Sequence, residues 1–214
     1  MLFQEKLNSS HEGRAEDFDE VVTLLCRSYC KLVLRAWSVG RTRLIWGWRL
    51  HSLGRRSSLE HPLQVNNPRA VAIGSCVTIA SQFILSDLCP GQGEVPKIVI
   101  GDECRILYRF QCNAARSVHI GQNVLIASNV LITDSDHVVE PGGVPVTHNR
   151  KLVTRPVRIE DNCWLGQNVV VLKGVTICHD SIVGANSVVT HDVPPRSVVA
   201  GNPARVIKTL ATCT

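Results

Sequence analysis

Aliphatic residues return every six positions along the C-terminal half of the chain, most regularly from Arg158 to Val189. The six positions are Ile159, Leu165, Val171, Ile177, Val183 and Val189. A period of six fits neither a single helix, which repeats every 3.6 residues, nor a half-buried strand, which repeats every two. It is typical of a coil with three short flat sides, each of which points one side chain inward. The pattern therefore predicts a solenoid.

The same count recurs upstream, which argues against ordinary strands with accidental spacing. It appears in three groups: Ile73, Ile79 and Leu85; Ile100 and Ile106; and Ile120, Ile126 and Ile132. Glycine follows the aliphatic residue at several of these points, for example at Gly101 and Gly166, and glycine tolerates a tight bend or a close backbone approach. We predict an all-β solenoid domain over residues 61–200 and a C-terminal cap over residues 201–214.

The N-terminal part of the chain follows a different pattern. Residues 1–17 are polar and unpatterned, and we expect a flexible N-terminus there. Residues 18–60 predict a basic amphipathic helical region that extends the solenoid, with a break near Gly40 or Gly47. Its apolar side is rich in leucine and tryptophan.

Charge is distributed unevenly in this helical region. No acidic residue occurs from Val21 to Leu59, whereas eight arginines and lysines do. Such a helix either lies in a membrane interface through residues 18–56, where buried apolar area and attraction to anionic lipid add together, or packs on a neighbouring coil or subunit. No apolar run is long enough to span a membrane. A single basic helix without a groove-reading motif gives no reason to expect nucleic acid as a partner.

Composition agrees with a narrow stacked core. Only 5% of the 214 residues are aromatic, and we expect a core of aliphatic side chains with no room for rings. No secretory segment opens the chain, so we expect a cytoplasmic protein. Four of the nine cysteines occupy repeat positions and are interpreted as reduced packing residues: Cys76, Cys104, Cys112 and Cys163.

The longest irregular stretch interrupts the repeat over residues 138–156 and follows His137 directly. Long loops inside a regular solenoid are more often functional than decorative. His137 is therefore the best candidate for a general base, because a coil wall can hold the imidazole while the loop shields it. Asp134 and Asp136 lie close by in sequence, and an adjacent carboxylate or carbonyl would fix the tautomer of the ring.

A metal site is the competing interpretation of the histidines. His119 and His137 are 18 residues apart, a spacing that would stack them on neighbouring coils. A zinc site needs a third ligand in the same groove, and His148 lies in the loop instead. We therefore predict no metal.

The run ITDSDH, followed by the loop and by RPVRIEDNCWLGQNVVVLKGVTICHDSIVGANSVVTHDVPPRSVVAGNPARVIK, resembles the hexapeptide-repeat acyltransferases. The similarity is strongest to the sugar O-acetyltransferases, which include the maltose and galactoside enzymes and those of exopolysaccharide and lipopolysaccharide assembly. The resemblance implies a left-handed parallel β-helix, a homotrimer, acetyl-CoA as the donor and His137 as the general base.

The resemblance also implies which residues border the acetyl-CoA groove between subunits. They are Trp164, Gly166, Gln167, Gly184, Ala185, Thr190, His191, Arg205 and Lys208. The last two match the cationic positions near the nucleotide phosphates, whereas His191 stands where the family commonly has lysine. The irregular count around residues 108–116 leaves the acceptor pocket unassigned.

The function that these observations favour is acetyl-CoA-dependent O-acetylation of a sugar hydroxyl, with a surface polysaccharide precursor as acceptor. Peripheral contact with the inner face of a bacterial membrane would follow from the basic helix. The rival interpretations are an acetyltransferase for a small xenobiotic or for serine, and a non-catalytic trimeric scaffold. Neither of the small-molecule reactions needs a basic, tryptophan-rich helix.

Overall fold

The computed structural model describes residues 33–93 and 95–211. Residues 33–46 are helical (α1), so the predicted helix continues through Gly40 and ends just before Gly47. The expectations for residues 1–32 lie outside the described residues. Among the residues described, no helix combines the length and the apolarity that spanning a bilayer requires.

Three parallel sheets form the three sides of the solenoid, with strands numbered in chain order. Sheet A contains β1 (Ser52–Leu53), β4 (Val71–Ile73), β7 (Ile98–Ile100), β10 (Val118–Ile120), β15 (Val157–Ile159) and β18 (Thr176–Ile177). Sheet B contains β2 (Ser58–Leu59), β5 (Thr78–Ile79), β8 (Arg105–Ile106), β11 (Leu125–Ile126), β16 (Trp164–Leu165), β19 (Ile182–Val183), β21 (Ser197–Gly201) and β22 (Ala204–Thr209). Sheet C contains β3 (Gln64–Val65), β6 (Ile84–Asp87), β9 (Gln111–Ala114), β12 (Leu131–Thr133), β17 (Val170–Val171) and β20 (Val188–Val189).

Each coil takes one strand from each sheet, and successive coils stack in register. In sheet B, Ile106 pairs with Ile126, which pairs with Leu165 on the next coil. All three side chains are fully buried. The six-residue period is therefore the distance along the chain from one inward-pointing side chain to the next.

The corners between sheets A and B, and between B and C, are tight and repeat one conformation. A residue with positive φ occupies the same place at most of these corners. This backbone conformation is adopted readily only by glycine, asparagine and aspartate. Asn129, Asn168 and Asn186 take this place on three stacked coils. The Nδ2 of Asn129 donates to Oδ1 of Asn168 at 2.7 Å, and Nδ2 of Asn168 donates to Oδ1 of Asn186 at 2.8 Å.

The glycines that follow the aliphatic positions sit where two coils approach closely. A Cβ on Gly101 would lie 2.6 Å from the carbonyl oxygen of Gly121 on the next coil. The predicted reason for glycine at these corners is therefore confirmed.

The boundary of the solenoid differs from the expectation. Strands β1 and β2 lie within the stretch 18–60 assigned to helix and form a complete first coil with β3, so the solenoid begins at Ser52 and not near residue 61. Leu53, Leu59 and Val65 keep the six-residue count through this coil. The arginine-rich composition around them obscured that signal.

Two further expectations are corrected. The core does admit rings, because Phe83 and Phe110 are fully buried at equivalent places on adjacent coils. The stretch 138–156 is not wholly irregular: β13 (Ser135–His137) pairs antiparallel with β14 (Leu152–Thr154). At the C-terminus, β21 ends the stretch assigned to the solenoid and forms a hairpin with β22, which lies in the region assigned to the cap. The cysteines at positions 104, 112 and 163 are buried and unpaired, as expected.

We expect Ile126→Ala to destabilise the protein by about 2–5 kcal/mol, because it empties a fully enclosed position in the column of sheet B. Leu63→Ala is the matched control, since the aliphatic side chain of Leu63 is 68% exposed. Urea unfolding followed by circular dichroism measures both. Equal losses of stability would contradict the assignment of the inward column.

Candidate active site

The long connections of the solenoid leave from one corner, between sheets C and A. The loop 88–97 joins β6 to β7, a short turn over residues 115–117 joins β9 to β10, and the hairpin of β13 and β14 lies between β12 and β15. The other two corners are held by the repeated turn described above. Side chains that vary from coil to coil are therefore gathered along the C–A corner.

His137 ends strand β13 and is exposed to solvent. It stands directly opposite Leu152 of β14, and Ser135 stands opposite Thr154. Directly opposed residues of an antiparallel pair project from the same face, so the imidazole shares one face of the hairpin with Leu152 and Thr154. Asp136 projects from the other face.

The two carboxylates beside His137 in sequence have other partners, which corrects the expectation that one of them would orient the ring. Asp134 is fully buried and accepts three backbone N–H groups: Ala115 at 2.7 Å, Arg116 at 2.7 Å and Ser117 at 2.8 Å. Burial raises the pKa of Asp134, although these N–H groups oppose the rise. Asp136 forms an ion pair with Lys173. Among the described residues, no hydrogen-bond partner of the His137 ring is present.

A cavity of about 430 Å³ opens along this corner. Its lining residues come from three successive connections: Cys89, Gln92 and Gly93; Ala115 and Arg116; and Arg150, Lys151, Leu152 and Thr154. Leu152, which stands opposite His137, lines the cavity together with Thr154, and His137 itself is not one of the lining residues.

One wall of the cavity depends on a buried ion pair that sequence reasoning missed. The Nζ of Lys97 lies 2.7 Å from Oδ1 of Asp87, and both side chains are only 1% exposed. Asp87 also accepts Nδ2 of Asn67 at 2.8 Å and the N–H of Cys89 at 3.0 Å. The ion pair thus joins the two ends of the loop 88–97. No spacing in the sequence signals that these two charges meet in the core.

The residues assigned to the donor fall into two groups. Trp164, Gly166 and Gln167 lie on the coil directly beneath Gly184 and Ala185. A Cβ on Gly166 would lie 2.6 Å from the backbone nitrogen of Ala185, so glycine keeps this wall flat.

The second group lies at the C-terminal end of the solenoid. His191 and Arg205 line one cleft of about 270 Å³. Thr190 is adjacent, with its Oγ1 2.7 Å from Nδ1 of His191. Lys208 is exposed on β22, which also carries Arg205. The roles given to these nine residues stay predictions.

The two histidines of the metal hypothesis lie on different elements. His119 is on β10 in sheet A and faces a cleft that His179 also lines, whereas His137 is on the hairpin. Burial, followed by the charge of Arg158, lowers the pKa of His119. Within residues 33–93 and 95–211, no three histidine, cysteine, aspartate or glutamate side chains come together as ligands for a metal ion.

Comparison with known proteins identifies the repeat. Residues 156–191 match the family model described as the hexapeptide repeat of succinyl-transferase. This part of the chain is therefore similar to the hexapeptide repeat. The match covers β15 to β20, the part of the solenoid with the most regular period.

Relatives and solved structures agree with this identification. The galactoside O-acetyltransferase of Escherichia coli K12 is 44% identical over 96 residues, which are 43% of this chain and 44% of that protein. The putative lipopolysaccharide biosynthesis O-acetyl transferase WbbJ of the same strain is 43% identical over 117 residues, 52% of this chain and 60% of that protein. The chain therefore spans less than two thirds of the length of these relatives. A galactoside acetyltransferase solved in complex with coenzyme A is 26% identical with a TM-score of 0.54, over 83% of this chain and 82% of that one.

The resemblance to the hexapeptide-repeat acyltransferases is thus confirmed in sequence and in fold. The fold is the left-handed parallel β-helix of that group, with a helical segment preceding it.

We expect Asp134→Asn to destabilise the protein by roughly 1–3 kcal/mol, because the amide turns an N–H₂ group toward buried N–H donors that now lack an acceptor. Asp136→Asn is the control: its ion pair with Lys173 is partly exposed and contributes at most about 1 kcal/mol. Thermal unfolding of the two variants measures the difference. Equal losses of stability in the two variants would show that Asp134 does not hold the 115–117 turn.

Proposed function

We propose that this chain transfers an acetyl group from acetyl-CoA to the hydroxyl of a sugar, with His137 as the general base. The observation that carries the proposal is the placement of an exposed imidazole on the face of a hairpin that also lines a cavity. The likeness to acetyltransferases in sequence and fold supports the choice of donor.

The reaction needs one base and a site for negative charge. An imidazole nitrogen of His137 takes the proton from the acceptor hydroxyl as its oxygen attacks the thioester carbonyl carbon of acetyl-CoA. The tetrahedral oxyanion then collapses and the C–S bond breaks. The proton passes from the imidazolium to the sulfur, so the products are the acetyl ester and CoA with a free thiol. A hydroxyl is a weak nucleophile at neutral pH, which is why a positioned base is required.

The donor would lie along the wall formed by Trp164, Gly166, Gln167, Gly184 and Ala185. Thr190 and His191 would continue this path toward Arg205 and Lys208. Flat backbone beside glycine suits an extended pantetheine arm, and guanidinium and ammonium groups suit phosphates. In a homotrimer this path would become a groove between neighbouring subunits. The exposed apolar pair formed by Leu125 and Trp164 on adjacent rungs supports such a subunit contact.

The acceptor would be a precursor of a surface polysaccharide, handled at the cytoplasmic face of a membrane. A specific observation favours this location: Leu44 and Trp48 are 78% and 69% exposed, beside Arg43 and Arg49. The guanidinium of Arg49 lies 5.5 Å from the ring of Trp48. Exposed apolar and cationic side chains together suit the interface of an anionic bilayer.

We expect His137→Ala to lower the rate of thiol release from acetyl-CoA, in the presence of an accepted sugar, by about 10²- to 10⁴-fold, because the base is lost. Release of the CoA thiol is followed with a chromogenic disulfide. His148→Ala is the matched control, since His148 is exposed in the same connection between β13 and β14. Sugar-dependent release that persists in His137→Ala would remove the assigned base. Absence of release with every sugar in the wild-type protein would favour the scaffold.

We expect the double variant Leu44→Ser, Trp48→Ser to lose most of its retention on vesicles containing phosphatidylglycerol, because it removes the apolar contact. Leu63→Ser is the control, since Leu63 is 68% exposed outside the helical segment. Co-sedimentation measures retention, with phosphatidylcholine vesicles as the neutral comparison. If the wild-type protein does not sediment with anionic vesicles, the membrane contact is wrong.

A further inference from the structure

The cavity at the C–A corner is bordered by three connections, and two of them have buried anchors. The 115–117 turn is held by the three N–H groups that donate to Asp134. The loop 88–97 is held at both ends by the buried pair of Lys97 and Asp87. A volume of about 430 Å³ lies within the usual range for small-molecule sites. The two anchors hold the 115–117 turn and the two ends of the loop 88–97 in place.

The charge of the lining is positive. Arg116, Arg150 and Lys151 contribute to the cavity, and among the described lining residues none carries a carboxylate. Lys151 is partly neutralised, because its Nζ lies 3.2 Å from Oε1 of Glu140. Among the residues that the structure describes, neither Arg116 nor Arg150 has an ion-pair partner. Two guanidinium groups are thus available to a ligand.

We propose that this cavity binds an anionic group of the acceptor, so that the acceptor is an acidic sugar bearing a carboxylate or a phosphate. Arg116 and Arg150 bind the anionic group, because a guanidinium presents N–H donors in a planar fork that fits two oxygens of a carboxylate or a phosphate. The inference rests on the proposed function, since it places the acceptor on the face of the hairpin that carries His137. It names a substrate class that the relatives' names do not.

The position of the first arginine follows from the fold. The backbone N–H of Arg116 is tied to Asp134, which lies three residues before His137 on the adjacent coil. The imidazole of His137 and the guanidinium of Arg116 are therefore attached to two connections that a buried hydrogen bond joins.

The test compares acceptors that carry an anionic group at C6 with neutral partners that carry a hydroxyl there. The pairs are methyl glucuronide with methyl glucoside, and glucose 6-phosphate with glucose, each with acetyl-CoA and the wild-type protein. We expect kcat/KM to be at least about tenfold higher for an acidic member than for its neutral partner. The carboxylate and phosphate pairs distinguish the two sources of the anion.

Substitution of the arginines tests the subsite itself. Arg116→Ser and Arg150→Ser each lower kcat/KM for the acidic sugar by roughly 10- to 100-fold, mainly through KM, as expected for one lost charge-assisted hydrogen bond. They lower kcat/KM for the neutral sugar less than for the acidic sugar. Arg55→Ser removes the same charge at an exposed corner between sheets A and B, and we expect it to have no effect. Equal losses for acidic and neutral sugars, or a preference for the neutral sugars, would overturn the inference.

Calorimetric binding without acetyl-CoA separates this inference from the proposed function. If either acidic sugar binds in an Arg116-dependent way but no transfer occurs, the subsite stands and the transfer reaction fails. If neutral sugars alone are acetylated, the reaction stands and the subsite fails. No binding of either acidic sugar also overturns the subsite.

Discussion

In-register stacking of six-residue sides is the constraint on which the whole structure depends. Each inward side chain must lie on the one below it, as Ile106, Ile126 and Leu165 do. A residue added within a side would move the inward side chains of that strand to its outer face. Extra residues are accommodated only at a corner. Two of the corners are occupied by stacked left-handed turns with coils in close contact, which leaves the C–A corner for longer connections. The location of the candidate site follows from this restriction.

Much of the fold could be predicted because the period is a direct record of the stacking. The period located the sheets, and its longest interruption pointed to His137. The first coil was missed although Leu53, Leu59 and Val65 keep the same count. Three aliphatic residues among many arginines favour an amphipathic helix equally well, so the local signal could not decide between the two structures.

The chemistry of the site was less accessible than its position. Proximity in sequence suggested that Asp134 or Asp136 would orient the imidazole. Side chains alternate across an extended strand, however. Asp134 accepts backbone N–H groups of the neighbouring coil, and Asp136 pairs with Lys173. The pair formed by Asp87 and Lys97 could not be predicted either, because contact between residues at the two ends of a loop depends on how the loop closes. Periodicity describes what is repeated, and these interactions occur once.

The confinement of irregular connections to one edge has a consequence for how such proteins diversify. The repeated sides and the two tight corners form the stacked interior, while the candidate site lies on short segments that take no part in the stacking. Replacement of those segments alters what is recognised and leaves the interior untouched. A single scaffold can in this way be adapted to chemically different alcohols through changes along one narrow strip of its surface.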